Sequence, residues 1–305
     1  MPSKDFTARR NPVIAGCTAT GVLKILALVF MFIDHAGKML FPQIAEMRML
    51  GRIAFPLYCR CMVVGISYTR SVPKYLGRLM LIGLVSQPIY MVALNHSWNQ
   101  PNIFLTLLVA LCGVWGLKAE KLLSHIWAPI LALFAAQLLG CDYGWRGVML
   151  VMLLYGVRGS RAGITCVMIA FCLYWGGSSV GVTHLFGQDV TPLTSSAVGA
   201  VISPWLRLQT MAIWALPLML LPISQQVKMP RWVGYALYPL HLVVLIALAA
   251  GGGFYVFAKQ KQKKQAEKEA LDPDANYTED KGDFEIPTDV PDEDETPDEQ
   301  DTEPI

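Results

Sequence analysis

The sequence predicts an all-α fold: a polytopic transmembrane helical bundle of about 9 to 10 spans, followed by a disordered acidic C-terminal tail. Three observations predict it. Of 305 residues, 54% are hydrophobic and only 16% are charged, a composition suited to lipid rather than water. Apolar runs approaching the ~30 Å of a hydrocarbon core recur along the chain with short connections between them. Charge is also segregated, because 17 of the 23 acidic residues lie from Glu267 onward beside two lysines, while the part through Ala266 holds 23 basic against 6 acidic residues.

The apolar runs fall at 22–41, 49–69, 75–94, 102–117, 122–140, 145–157, 162–180, 208–223 and 232–257. Lipid offers no partner to a bare N–H or C=O, so each run must close its own hydrogen bonds as a helix. Short connections then make neighbours antiparallel. The sixth run is short, and "SSAVGAVISPWL" before the eighth reads as a partial helix or a tenth span. The first run is long, interrupted by charge and followed by no A-x-A site, so it reads as a membrane anchor and not a cleaved signal.

This organisation gives a cytoplasmic segment at 1–21, a transmembrane domain at 22–258, and a lysine-rich junction with an acidic tail at 259–305. The tail repeats Pro at short intervals, carries like charge and has few apolar residues, so it cannot bury enough surface to offset its ordering entropy. The "KQKKQ" before it suits anionic lipid headgroups. Membrane lipids are the expected surroundings, and nucleic acid is not an expected partner.

Orientation is set by the basic residues of the short loops. Lys4, Arg9 and Arg10 precede the first run, Arg70 and Lys74 follow the second, Lys118 and Lys121 the fourth, Arg158 and Arg161 the sixth, and Lys228 and Arg231 the eighth. These belong on the cytoplasmic side, with the amino terminus. Nine spans would place the lysines between 259 and 268 outside; ten would place them inside. The seven cysteines form no C-x-x-C pair and lie mostly in apolar runs, so they read as small buried residues, and no metal site is expected.

Ionisable residues inside the apolar runs carry the functional signal. Asp34 lies about 18 Å along the first run, where an unpaired carboxylate costs several kcal/mol. Lys38, four residues on, is the nearest partner in the same helix, and the Asp-then-Lys order is the favourable one. His35 points about 100° away from Asp34, toward the face shared with Lys24. Arg48 and Arg52 share a face of the second run, with Gly51 and Pro56 allowing close approach and a bend, so an Asp34–Arg52 contact is a further expectation. His241, after Pro239, lies about 15 Å in from Arg231, at a depth where it can meet His35. Arg60 stands in a run otherwise apolar.

Two histidines at matched depth beside an Asp and an Arg suit a reaction centre. Imidazoles serve as general bases or transient nucleophiles, and basic groups at a cytoplasmic mouth suit a donor carrying phosphates. Group transfer from a soluble donor is one reading. A proton-coupled membrane transporter using Asp and His as a relay is the other, and the residues alone leave both open.

"LKILALVFMFIDHAGKMLF", "MLGRIAFPLY", "PNIFLTLLVAL", "YGWRGVMLVMLLYG" and "YALYPLHLVVLIAL", in this order and spacing, resemble the TraX family over roughly residues 22–250. The resemblance implies an integral membrane acetyltransferase that uses acetyl-CoA as donor substrate in a bacterial inner membrane. Its implied acceptor is a pilin-like peptide's amino terminus or a cell-surface glycan. Asp34 and His35 stand at the family's D-H, Gly51, Arg52 and Pro56 at its G-R-x-A-F-P, Asn102 at its N-I element, and His241 at its final H-L. The implied catalytic set is therefore Asp34, His35, Arg52 and His241. Lys24, Arg70, Lys74 and Arg78 are the expected phosphate contacts of the donor, each of which also suits headgroup anchoring. Asn102 joins the donor set by resemblance, and by position it also reads as a helix cap. One cavity open to the cytoplasmic side should hold all four catalytic residues.

Overall fold

A computed structural model describes residues 13–119, 121–196, 198–224 and 231–270. The basic residues before 13, Lys228, and the acidic tail expected to be disordered lie outside the described residues. The chain divides into two units, Met1–Gly253 and Phe254–Ile305.

The helices of the first unit are α1 (Thr20–Met39), α2 (Ala45–Gly51), α3 (Ala54–Tyr68), α4 (Val72–Leu94), α5 (Ile103–Ala119), α6 (Ser124–Leu138), α7 (Gly144–Gly156), α8 (Arg161–Gly176), the short α9 (Thr191–Ser195) and α10 (Gly199–Ile202), a 3-10 segment at Leu208–Trp214 that leads into α11 (Ala215–Leu220), and α12, which begins at Arg231. Local chemistry sets several ends. Pro73 opens α4, where a missing N–H costs nothing, and Asn95 closes it in the left-handed region with its N–H donated to Met91 O. Ser160 opens α8 by accepting the Gly163 N–H at 3.0 Å.

Among the described residues, four helices are long and apolar enough to cross a membrane: Thr20–Met39, Ala45–Tyr68 (α2 and α3 together), Val72–Leu94 and Gly234–Gly253. Five further apolar helices are 10–17 residues long. Each of the nine apolar runs thus holds helix, but a span count of nine to ten does not follow from helix length. Among its described residues, the segment read as a partial helix or a tenth span, 195–206, holds only the last residue of α9 and the four-residue α10. The all-α expectation also needs one correction, because β1 (His184–Leu185) and β2 (Gln188–Asp189) pair as an antiparallel hairpin. Phe186 and Gly187 both take positive φ there, closing a tight two-residue turn.

The Ala45–Tyr68 stretch is the axis, since 78% of its apolar window is buried against 22% for α4 and for Gly234–Gly253. Leu57, Val63 and Ile66 of α3 meet Leu111 of α5 and Leu150 and Leu154 of α7 in the core. Outward-facing Leu84, Phe134 and Leu138 are exposed, as a lipid-facing belt requires.

Two close approaches position the site. α1 and α2 touch through glycines: a Cβ on Gly51 would lie 2.2 Å from Asp34 Cβ, and one on Gly37 would lie 2.7 Å from Met47 Cβ. The connection between α4 and α5 folds back beside α4, because the Asn102 N–H donates to Gln87 Oε1 at 2.8 Å and Asn102 Nδ2 donates to Gly83 O at 2.7 Å. Ahead of α1, non-helical chain enters the bundle. The Ala15 N–H donates to Arg158 O and the Cys17 N–H to Met219 O, both at 2.8 Å. Arg60, fully buried, donates its Nε to Cys17 O at 3.2 Å and an Nη to Ala15 O.

Candidate functional site

α1 and α12 bring His35 and His241 together. His35 Nδ1 lies 2.8 Å from His241 Nε2, and the rings stack at 5.1 Å with a 9° tilt. His241 Nδ1 lies 3.3 Å from Leu237 O, a group that only accepts, so this nitrogen carries the proton. His241 Nε2 then accepts from His35 Nδ1–H. Nε2 of His35 is left as the lone-pair nitrogen of the pair.

Asp34 lies on the next face of α1 and bridges two arginines, with Arg48 Nη1 2.7 Å from Oδ2 and Arg52 Nη2 2.6 Å from Oδ1. Arg48 Nη1 also donates to Asp34 O at 3.1 Å, and Arg52 Nε to Arg48 O at 3.2 Å. The expected Asp34–Arg52 contact is present. The expected Asp34–Lys38 pair is not: Lys38 Nζ lies 2.9 Å from His96 Nε2. The close α1–α2 packing places both guanidiniums on the carboxylate and leaves the lysine to the α4–α5 connection.

Asp34, His35, Lys38, Arg48 and Arg52 line a chamber of about 450 Å³, together with Asp142, Arg146 and Gln209. His241 lies behind His35 and not on the chamber wall. The chamber sits where α1, α4, α6 and α8 end and α7 begins. Arg70, Lys74, Lys118, Lys121, Arg158 and Arg161 lie at the opposite helix ends, so the expectation of a cavity open on the basic side is corrected. Asp34 and His35 are in the last two turns of α1, which starts at the basic side and ends away from it.

A second cavity of about 120 Å³ lies nearer the basic connections and is lined by Lys24, Tyr58, Tyr75, Tyr235 and Tyr238. Tyr238 packs edge-on against His241 at 5.4 Å and against Phe104 at 4.7 Å. The histidine pair therefore stands between a polar chamber and a tyrosine-lined groove. Of the expected donor contacts, only Lys24 lines this groove. Arg70 and Lys74 are exposed at the α3–α4 turn, and Arg78 sits over the Tyr75 ring at 5.6 Å. Asn102 is buried, with its carboxamide occupied by Gly83 O and the Phe104 N–H, so it acts as the cap its position suggests.

Asp142, Arg146, Gln209 and His96 are site residues that sequence reasoning missed. Asp142 directly precedes the "YGWRG" stretch and is one of six acidic residues before Glu267, which is the signal that could have found it. Asp142 is solvent-accessible at the chamber wall, yet the protein packed around its carboxyl strips part of its hydration and raises it to about 6, against the lowering pull of Arg52 and Lys38. Burial, reinforced by Lys38, pushes His96 below its ordinary value. Among the described residues no group of His, Cys, Asp or Glu is arranged to hold a metal ion.

Apolar helices enclosing a histidine pair and a carboxylate-bridged arginine pair define an integral membrane protein with a built polar site. The chain matches the TraX protein family over residues 19–249 and belongs to that family. It is 28% identical over 146 residues to a probable fimbrial assembly protein, FimC, of Dichelobacter nodosus, covering 43% of this chain and 59% of that one. It is 33% identical over 94 residues to an uncharacterized protein of Rickettsia prowazekii, covering 31% of this chain and 36% of that one. To Protein TraX of Escherichia coli it is 26% identical over 193 residues, covering 58% of this chain and 73% of the relative. No solved structure matches.

Proposed function

We propose that the protein is a membrane-bound acetyltransferase of a bacterial inner membrane, moving an acetyl group from acetyl-CoA to a pilin-like amino terminus or a cell-surface glycan. The observation that carries this reading is the His35–His241 pair, held between a groove on the basic side and a polar chamber on the other. The basic connections belong in the cytoplasm, so acetyl-CoA arrives there, its phosphates near Lys24, Arg70, Lys74 and Arg78 and its acyl arm along the tyrosine-lined groove. The acceptor enters the chamber from the opposite face. The fimbrial assembly name of one relative favours the pilin-like acceptor.

In the two-step route, His35 Nε2 attacks the thioester carbonyl carbon, the C–S bond breaks, and the thiolate leaves with the electron pair. His241 accepts the hydrogen bond, and then the proton, from His35 Nδ1 as positive charge develops on that ring. The acceptor heteroatom then attacks the acetyl-imidazole carbon, the C–N bond to His35 breaks with its electron pair on Nε2, the pair is restored as His241 returns its proton to His35 Nδ1, and the proton lost by the acceptor passes through His35 Nε2 to the released thiolate. Direct attack on the thioester, with His35 Nε2 as base, uses the same groups. Arg52 and Arg48, fixed by Asp34, supply positive charge near the developing oxyanion.

Labelled acetyl-CoA supplied to membranes tests this. Transfer of label to a macromolecule by the native protein, lost in His35→Ala and His241→Ala, is the expected result. Base-stable label on the protein itself would identify the two-step route. Uptake of label without transfer would support the proton-coupled transporter instead.

A further inference from the structure

The chamber carries more positive charge and more unused donors than acyl transfer requires. Four cationic side chains line it, Lys38, Arg48, Arg52 and Arg146, against the carboxylates of Asp34 and Asp142. Asp34 is already consumed in bridging Arg48 and Arg52. Gln209 is 7% exposed, and among the described residues its Nε2 has no hydrogen-bond partner. The same is true of Arg146 Nε and of His96 Nδ1. Because Lys38 donates to His96 Nε2, that Nδ1 carries the proton and is a donor as well.

These donors are held in place by the surrounding structure. The Gln209 N–H donates to Ser179 Oγ at 3.1 Å, which fixes its backbone at the chamber wall. Arg146 lies over the rings of Trp145 at 5.3 Å and Tyr174 at 6.0 Å, which orients its guanidinium without occupying its N–H groups. Buried polar groups are ordinarily satisfied, so several unpaired donors on one positively charged wall indicate a missing acceptor group.

We infer that the chamber recognises the acceptor molecule through an oxyanion, a carboxylate or a phosphate, whose oxygens accept from Arg146 and Gln209, making these two residues specificity-determining. This rests on the chamber being the acceptor side of the proposed transfer. A neutral sugar or an unaccompanied ammonium group would leave the excess cations unanswered, whereas an oxyanion beside the nucleophilic group answers them.

The test is equilibrium dialysis of labelled sulfate against the purified full-length protein in neutral detergent, with no acetyl-CoA present. Wild type should bind sulfate saturably, with competition by acetate or inorganic phosphate but not by glucose. The stronger competitor distinguishes a carboxylate from a phosphate, and competition by phosphatidylglycerol in mixed micelles would assign the phosphate to lipid. Arg146→Gln and Gln209→Leu should each weaken binding by about tenfold or more. Lys121→Gln, at the opposite helix ends, should leave it unchanged. Gln209→Glu, nearly isosteric, keeps the fold testable and should abolish binding. No saturable binding by wild type, or undiminished binding by the Arg146→Gln and Gln209→Glu variants, overturns the inference. The readout needs no acetyl transfer, so loss of transfer bears on the enzyme alone and loss of sulfate binding on this inference alone.

Discussion

Replacing Asp34 by asparagine removes the carboxylate that bridges Arg48 and Arg52 and leaves them only the more distant Asp142. The asparagine keeps the shape and can accept one hydrogen bond, but two guanidiniums then face each other across a neutral group. Arg52, 11% exposed at its side chain, bears most of the penalty; Arg48, 28% exposed, is partly relieved by solvent. Breaking a buried pair by deleting one partner costs about 3–5 kcal/mol. For a domain of this size that lowers the melting temperature by roughly 10 °C. Thermal unfolding of the purified protein in detergent, followed by intrinsic tryptophan fluorescence, measures it. The triple variant Asp34→Asn, Arg48→Gln, Arg52→Met should recover at least half of the loss, because replacing a whole buried ionic group is far cheaper than orphaning part of it. A single Asp34→Asn variant that melts within about 2 °C of wild type would refute the reasoning.

Two more perturbations probe the same region. Gly51→Ala would place its Cβ 2.2 Å from Asp34 Cβ, so it should force α1 and α2 apart and lower the melting temperature at least as much as Asp34→Asn, measured in the same way. The Asp142 carboxyl, raised to about 6 by the protein that displaces part of its hydration, faces Arg52, Lys38, Asp34 and Arg48, with Arg146 and His35 on the same chamber wall. As pH falls through 6 this group takes up a proton and the chamber loses a negative charge. Sulfate affinity should therefore rise as the pH is lowered from about one and a half units above that midpoint to about one below it, and Asp142→Asn should hold the higher affinity across that range with a flattened slope.

Residues differ in how much of their role a sequence can disclose, and the reason is physical. The His35–His241 and Asp34–Arg52 contacts are legible because an ionisable group in an apolar run is costly enough to demand a partner, and matched depths name the partner. Lys38 is misleading because the four-residue rule considers only the residue's own helix, whereas helix–helix packing through Gly37 and Gly51 delivers two better cations. Asp142, Arg146 and Gln209 lie at helix ends or between helices, where a polar residue raises no alarm until folding gathers it onto a common wall. The expected span count exceeds the long helices because a run of apolar residues can fold short or irregular, as 208–223 does when it begins as a 3-10 segment. The chamber's side is hidden because basic loops indicate orientation in the membrane and say nothing about which helix ends converge on a cavity.

Arg60 counts against a hydropathy reading of its helix, yet its guanidinium serves as a transplanted piece of backbone. Among the described residues, the irregular entry at Ala15 and Cys17 has no neighbouring strand to supply N–H groups to these two carbonyls, and a long side chain reaching from α3 substitutes for one. Leucine at this position would make the helix more apolar and leave two carbonyl dipoles dry inside the protein. A charge in mid-bundle can thus be scaffolding, fastening irregular chain where lipid would otherwise forbid it.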